Sequence, residues 1–123
     1  MLISALFSGL VFGVLSLLAF FIAYQSPKGQ VGKFDFNSMP GVMTPNTLKS
    51  REAWMVAHEK TSSWFTLLGV YFSVSGAVLM VLSFYELPTD HRNIFGGFLF
   101  VGVVWFGALC LVGDRAASRF NKE

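Results

Sequence analysis

The sequence predicts an all-α membrane protein with three transmembrane helices and a cytoplasmic loop-plus-helix between the first and second. Three observations carry this. Charged residues make up 13% of the 123-residue chain, where a soluble domain has about 25%. The nine basic and seven acidic residues are excluded from three stretches, Met1 to Pro27, Thr61 to Tyr85 and Asn93 to Gly113. Each stretch contains an apolar run, Leu2 to Tyr24, Thr66 to Tyr85 and Ile94 to Val112, of the about 20 residues that a helix needs to cross the hydrocarbon core. A chain this short has too little sequence left to cover three such runs in water. A soluble enzyme, a disordered tail and a disulfide-rich secreted module are thereby excluded. The runs are apolar all round, whereas barrel strands alternate in segments of about 10 residues. Helix also satisfies the backbone without help from the lipid. One membrane domain, residues 1–123, is expected, with spans at about 2–24, 62–85 and 94–113.

The first span has no Lys or Arg before it and a run too long for a secretory leader, and Phe20-Phe21-Ile22-Ala23-Tyr24 is a poor cleavage site. It is expected to be retained. Orientation follows from the basic residues. The connection 25–61 carries Lys28, Lys33, Lys49, Arg51 and Lys60, and the tail 114–123 carries Arg115, Arg119 and Lys122. The second connection carries only Arg92. This places the N-terminus outside the membrane, with the long connection and the C-terminus in the cytoplasm. Glu86 to Arg92 should form a short external turn, helped by Leu87-Pro88-Thr89-Asp90.

The long connection changes character along its length. Gln25 to Pro45 holds Pro27, Pro40 and Pro45 with Gly29, Gly32 and Gly41, and should be extended or turned. Thr44 precedes a proline and is pushed towards extended geometry. Thr47 or Ser50 can then cap a helix, with Glu52 in the first turn, where a carboxylate suits the helix dipole. Trp54, Ala57, His58, Thr61, Trp64 and Phe65 follow at helical spacing. Nothing breaks the helix from Arg51 to Tyr85, so it should be continuous or bent near Thr61 to Ser63. Trp54 and Trp64 are placed for the headgroup region.

The string from Asn37 to His58 resembles the signature of the SdpI family of small bacterial integral membrane proteins. Gly41, Thr44, Pro45, Thr47, Leu48, Glu52, Trp54 and His58 match that signature in type and order. The resemblance covers about residues 35–85, with the third span in the expected place. Met43 stands where the family has an Arg, and Glu59 where a basic residue often follows the His. The resemblance implies a non-enzymatic membrane protein and a role in peptide-toxin immunity or membrane signalling, because the type member confers immunity to a secreted toxin and recruits a repressor to the membrane. The residues themselves leave a second role open, a small accessory subunit of a larger membrane complex.

The remaining features have structural explanations. His58 should hydrogen-bond the Gly41–Leu48 loop and fix it against the helix. A zinc site would need three or four ligands, and His91 belongs to the opposite side. Trp54 should be an interfacial anchor packed on the proline-rich loop. Gly9 and Gly13 in the first span, and Gly69 and Ser73 in the second, lie four apart and allow close helix packing. Arg115 and Arg119, one turn apart, suit lipid phosphates, and Asp114 should pair with a basic neighbour. Cys110 is alone and forms no disulfide or metal cluster.

No span holds an ionisable residue of the kind that pumps and proton relays place in the bilayer, and no catalytic motif occurs. Neither catalysis nor a cofactor or metal is expected. The expected partners are membrane lipid and other integral membrane proteins or further copies of the chain, and not nucleic acid.

Overall fold

The computed structural model of the chain describes residues 2–85 and 90–122. Three helices long and apolar enough to cross a membrane dominate it. These are α1 (Leu2–Tyr24), α2 (Arg51–Phe84) and α3 (His91–Lys122). The turn expected at Leu87-Pro88-Thr89 lies outside the described residues.

Ser50 starts α2. It is extended at φ −159°, and its hydroxyl accepts from the Ala53 N–H at 3.0 Å, while Thr47 instead begins a separate short 3-10 turn. The 34 residues of α2 run without interruption through Thr61–Ser63, so the helix is continuous there. Hydroxyls in this stretch turn back onto their own helix, Thr61 to the Ala57 carbonyl and Thr66 to the Ser62 carbonyl, and need no partner from lipid. At 1.5 Å per residue α2 is about 51 Å long, against a hydrocarbon core of about 30 Å. Arg51, Glu52, Glu59 and Lys60 all lie at its start, so the first ten residues form the part outside the core. The same reasoning places Asp114 to Lys122 of α3 outside.

Helix α2 is central and packs on both neighbours. Phe12, Ala19 and Ile22 of α1, Phe65, Leu68, Phe72 and Leu79 of α2, and Leu109 of α3 form the core. Phe95 of α3 stacks on Phe7 and meets Phe12 edge-on, at centroid distances of 5.8 and 5.3 Å. At that end all three helices meet. His91 lies between α1 and α2 there, with Nε2 3.0 Å from the Ser8 hydroxyl and Nδ1 2.9 Å from that of Ser83.

The connector between α1 and α2 is ordered by short elements. A 3-10 turn at Ser26–Lys28 leads into an antiparallel hairpin, β1 (Gln30–Val31) with β2 (Phe34–Asp35), in register Val31 to Phe34. Gly32 turns it at φ 56°, a left-handed conformation that suits glycine. Asp35 then accepts from the Phe36 N–H at 2.8 Å and pairs with Arg51 at 3.1 Å. This ties the hairpin to the first residue of α2.

Candidate functional site

The connector is held on α2 by a buried cluster of side chains and backbone groups. Trp54 and His58 lie one turn apart on the face of α2 that meets the connector, stacked at 4.1 Å between ring centroids and both fully buried. The Trp54 indole N–H donates to the Ser26 carbonyl at 2.8 Å. The Ser26 hydroxyl donates to the Pro40 carbonyl at 2.7 Å. Trp54 therefore holds Ser26, and Ser26 in turn holds a second part of the connector.

The orientation of His58 is fixed by backbone on both sides. The Val42 N–H donates to Nε2 at 2.9 Å, so that nitrogen must carry the lone pair. Nδ1 then carries the hydrogen and donates to the Trp54 carbonyl at 2.8 Å. Burial disfavours the cation and pushes the pKa of His58 down to about 4, although the Trp54 carbonyl acts in the other direction. The imidazole is neutral and locked in one tautomer.

Gly41 is required twice. It sits at φ 149°, and a Cβ there would collide with Nε2 of His58. Beyond it, Thr44 and Thr47 close a tight turn. The Thr44 N–H donates to the Thr47 hydroxyl at 2.9 Å, and that hydroxyl donates to the Val42 carbonyl at 2.8 Å. Both the N–H and the C=O of Val42 are thus taken by side chains, and Val42 itself packs against Gly113 of α3.

A second tie reaches α3. Asn46 donates from its side chain to Asp114 at 3.0 Å and accepts at its carbonyl from the Asn121 side chain at 2.9 Å. Hydrogen bonds from Thr44 and Asn46 hold the Asp114 carboxyl below its ordinary pKa. The basic partner expected for Asp114 is replaced by an amide and a hydroxyl, because the connector and not a lysine covers this turn of α3.

Five of the eight signature positions converge here: Gly41, Thr44, Thr47, Trp54 and His58. Pro45, Leu48 and Glu52 are exposed, as is Met43, at 54%. Trp54 does pack on the connector, but as an interior residue and not at the headgroups. Trp64, 54% exposed, is the tryptophan of this pair that reaches outwards. Ser26, Val42, Asn46 and Asn121 take part in most of these ties, and no sequence pattern marked them.

The signature and its surroundings are those of a known family, and the SdpI/YfhL protein family matches residues 33–113. The chain belongs to the SdpI/YfhL family. The match begins in the connector hairpin, takes in all of α2 and ends at Gly113, where α3 leaves the core. Helix α1 precedes the SdpI/YfhL region. No curated protein and no solved structure matches the chain. The SdpI/YfhL family is not a known enzyme family. Among the described residues no group of three His, Cys, Asp or Glu could hold a metal ion.

The positions expected to pack helices divide. Gly9 lies under Met80, and Gly69 lies under the Phe20 ring. Ser73 shares the Gly69 carbonyl with Ser16 of α1, each 3.0 Å from it. Gly13 has nothing within 4 Å of where its Cβ would be. Gly76 under Phe12 and Gly102 under Phe72 make the contacts that spacing did not indicate. Arg115 and Arg119 are exposed on the extension of α3.

Proposed function

We propose that the chain is a non-enzymatic, multi-pass protein of SdpI type in a bacterial plasma membrane. It serves in peptide-toxin immunity or membrane signalling through its 41–58 element. The connector and C-terminus face the cytoplasm in this reading, the N-terminus lies outside, and Arg115 and Arg119 rest among lipid phosphates. The observation that carries it is the Gly41–Val42–His58–Trp54 cluster. A connector needed only to join two spans would not require a buried, tautomer-locked histidine and two threonines to hold one backbone conformation. Such a platform suits contact with another molecule at the membrane surface.

The test is protection of cells against a membrane-active peptide. Trp54→Ala and His58→Ala are expected to abolish protection while the protein remains in the membrane at its normal level. Unchanged protection sinks the reading. Orientation is tested in a Cys110→Ala background, where Lys49→Cys and Asp90→Cys should be labelled from opposite sides.

The open face at Gly13 favours a second reading, an accessory subunit packed on other membrane proteins or on further copies of the chain. Mild detergent extraction should then recover the chain in a large assembly. Migration only as a monomer counts against it.

A further inference from the structure

The segment Gly41–Lys49 is tied down at both ends. The Ser26 hydroxyl holds the Pro40 carbonyl before it, and Ser50 caps α2 after it. Between these points its anchorage centres on Val42. The Val42 N–H donates to His58 Nε2, its carbonyl accepts from Thr47, and its buried side chain packs on Gly113 of α3. The His58 ring has no room to turn away. Trp54 stacks on it at 4.1 Å, and Gly41 lies so close to Nε2 that a Cβ would collide with it. A proton added to Nε2 would meet the Val42 N–H head-on, and two donors cannot share one bond. The helices do not depend on this segment. Helix α1 holds α2 through Ser16 on the Gly69 carbonyl and Phe12 over Gly76. Helix α3 holds α2 through Tyr71 on the Phe98 carbonyl and through Ala53, Ala57 and Ala117.

We propose that His58 is an acid-operated latch: protonation at Nε2 releases Gly41–Lys49 from α2 and α3 while the three-helix bundle stays assembled. No counter-ion is at hand to keep the cation in place. The connector has no ionisable side chain from Ser38 to Leu48. Arg51, Glu52, Glu59 and Lys60 of α2 are exposed, as are Tyr24, Lys28, Lys49, Arg115 and Arg119. Asp114 is half-buried, and its carboxylate is occupied by Thr44 and Asn46. Release returns the ring to water and to its ordinary pKa of 6.5, against about 4 when docked. The released form binds the proton more tightly, so docking is at full strength above about pH 6.5 and weakens as the pH falls towards 4. Between pH 7 and pH 4 the ratio of released to docked segment rises about 100-fold, enough to turn about 1% into about half. The release does not depend on the function proposed above, although its use in regulating the 41–58 element does.

The experiment is electron-spin distance measurement on the full chain in lipid nanodiscs, in a Cys110→Ala background. One nitroxide pair, Met43→Cys with Arg115→Cys, joins the segment to α3 at two exposed positions. A control pair, Glu59→Cys with Arg115→Cys, joins α2 to α3. The first pair is expected to give one narrow distance at pH 7 and a second, longer and broader population at pH 4. The control pair should be unchanged. His58→Gln keeps a neutral acceptor for the Val42 N–H and has no proton to gain, so it should hold the pH 7 distance at pH 4. A first pair that is unchanged at pH 4 overturns the proposal. So does a control pair that lengthens with it, since the bundle would then be coming apart, and so does the same release in His58→Gln. Should His58→Gln already be released at pH 7, the wild-type ring is followed by histidine 15N resonance, with His91→Gln assigning the signals. The ring must then titrate over the same pH interval as the distance, and a ring that titrates while the distance holds overturns the latch.

Discussion

The two histidines of this chain sit at opposite ends of α2 and are bound in opposite ways. His58 faces two backbone groups. A peptide N–H can only donate and a peptide carbonyl can only accept, so the ring is confined to one neutral tautomer. His91 faces two serine hydroxyls. A hydroxyl can rotate to donate or accept, so either tautomer can be satisfied. One end of the bundle is built to hold a single backbone conformation. The other is an adaptable knot of three side chains. The matched family region contains both, but five of the signature positions lie at the rigid end, which is where a defined surface is needed.

The strongest test of that rigidity is Gly41→Ala. The added methyl meets the His58 ring, and the backbone is at a positive φ that an L side chain disfavours. The two effects together should cost about 4 kcal/mol and release the connector. Loss of the buried Trp54 fluorescence signature, with helix content retained, is the expected readout. A native-like melting temperature would show that the connector can move aside, and the rigid end would not be rigid.

The paired test is His58→Ala against His91→Ala. Removing His58 leaves a cavity beside Trp54 and an unpartnered Val42 N–H, a loss of about 3 kcal/mol. Removing His91 leaves two serines that can each turn to a carbonyl four residues back on their own helix. That loss should be about 1 kcal/mol. Equal losses in thermal unfolding would break the comparison.

Acid should weaken the His58 end. The pKa of His58 is about 4 in the folded chain and 6.5 when unfolded. Between those values the unfolded chain binds more protons, so stability rises with pH. The contribution is complete above about pH 6.5 and is lost as the pH falls towards 4. At pH 5 the loss should be about 2 kcal/mol. Melting at pH 7 and pH 5 measures it, and the step should vanish in His58→Ala. A step that persists in that variant belongs to another group.

Much of the fold was legible because hydropathy and charge act on whole segments. The three spans followed from runs of about 20 residues, and α2 followed from the absence of any breaker after Ser50. The site was legible only where a side chain did the binding. Gly41, Thr47, Trp54 and His58 stand out by type, but the last three bind the backbone of Ser26 and Val42, and a backbone group has no letter of its own. Ser26 is 28 positions from Trp54, and a serine between an apolar run and a proline has no distinguishing feature. The helix contacts show the same limit. Spacing by four identifies small residues that admit another helix backbone, whereas Gly76 and Gly102 admit the rings of Phe12 and Phe72.

The smallest effect concerns how far rigidity extends from the connector into α3. Asn46→Ala removes the side-chain bond to Asp114 but leaves the Asn46 carbonyl free to accept from Asn121. Asp114 is half-buried and keeps Thr44 as a donor, so the carboxylate is not left bare. The expected loss is about 1 kcal/mol. A double-mutant cycle with Asp114→Ala isolates the pair, and a coupling of about 1 kcal/mol is expected, since the two residues touch directly. The same variant should leave the His58 step in acid unchanged, because the Val42 and Trp54 bonds do not pass through Asn46. Zero coupling would mean that the extension of α3 rests beside the connector without restraining it. The ordered surface would then be the work of α2 alone.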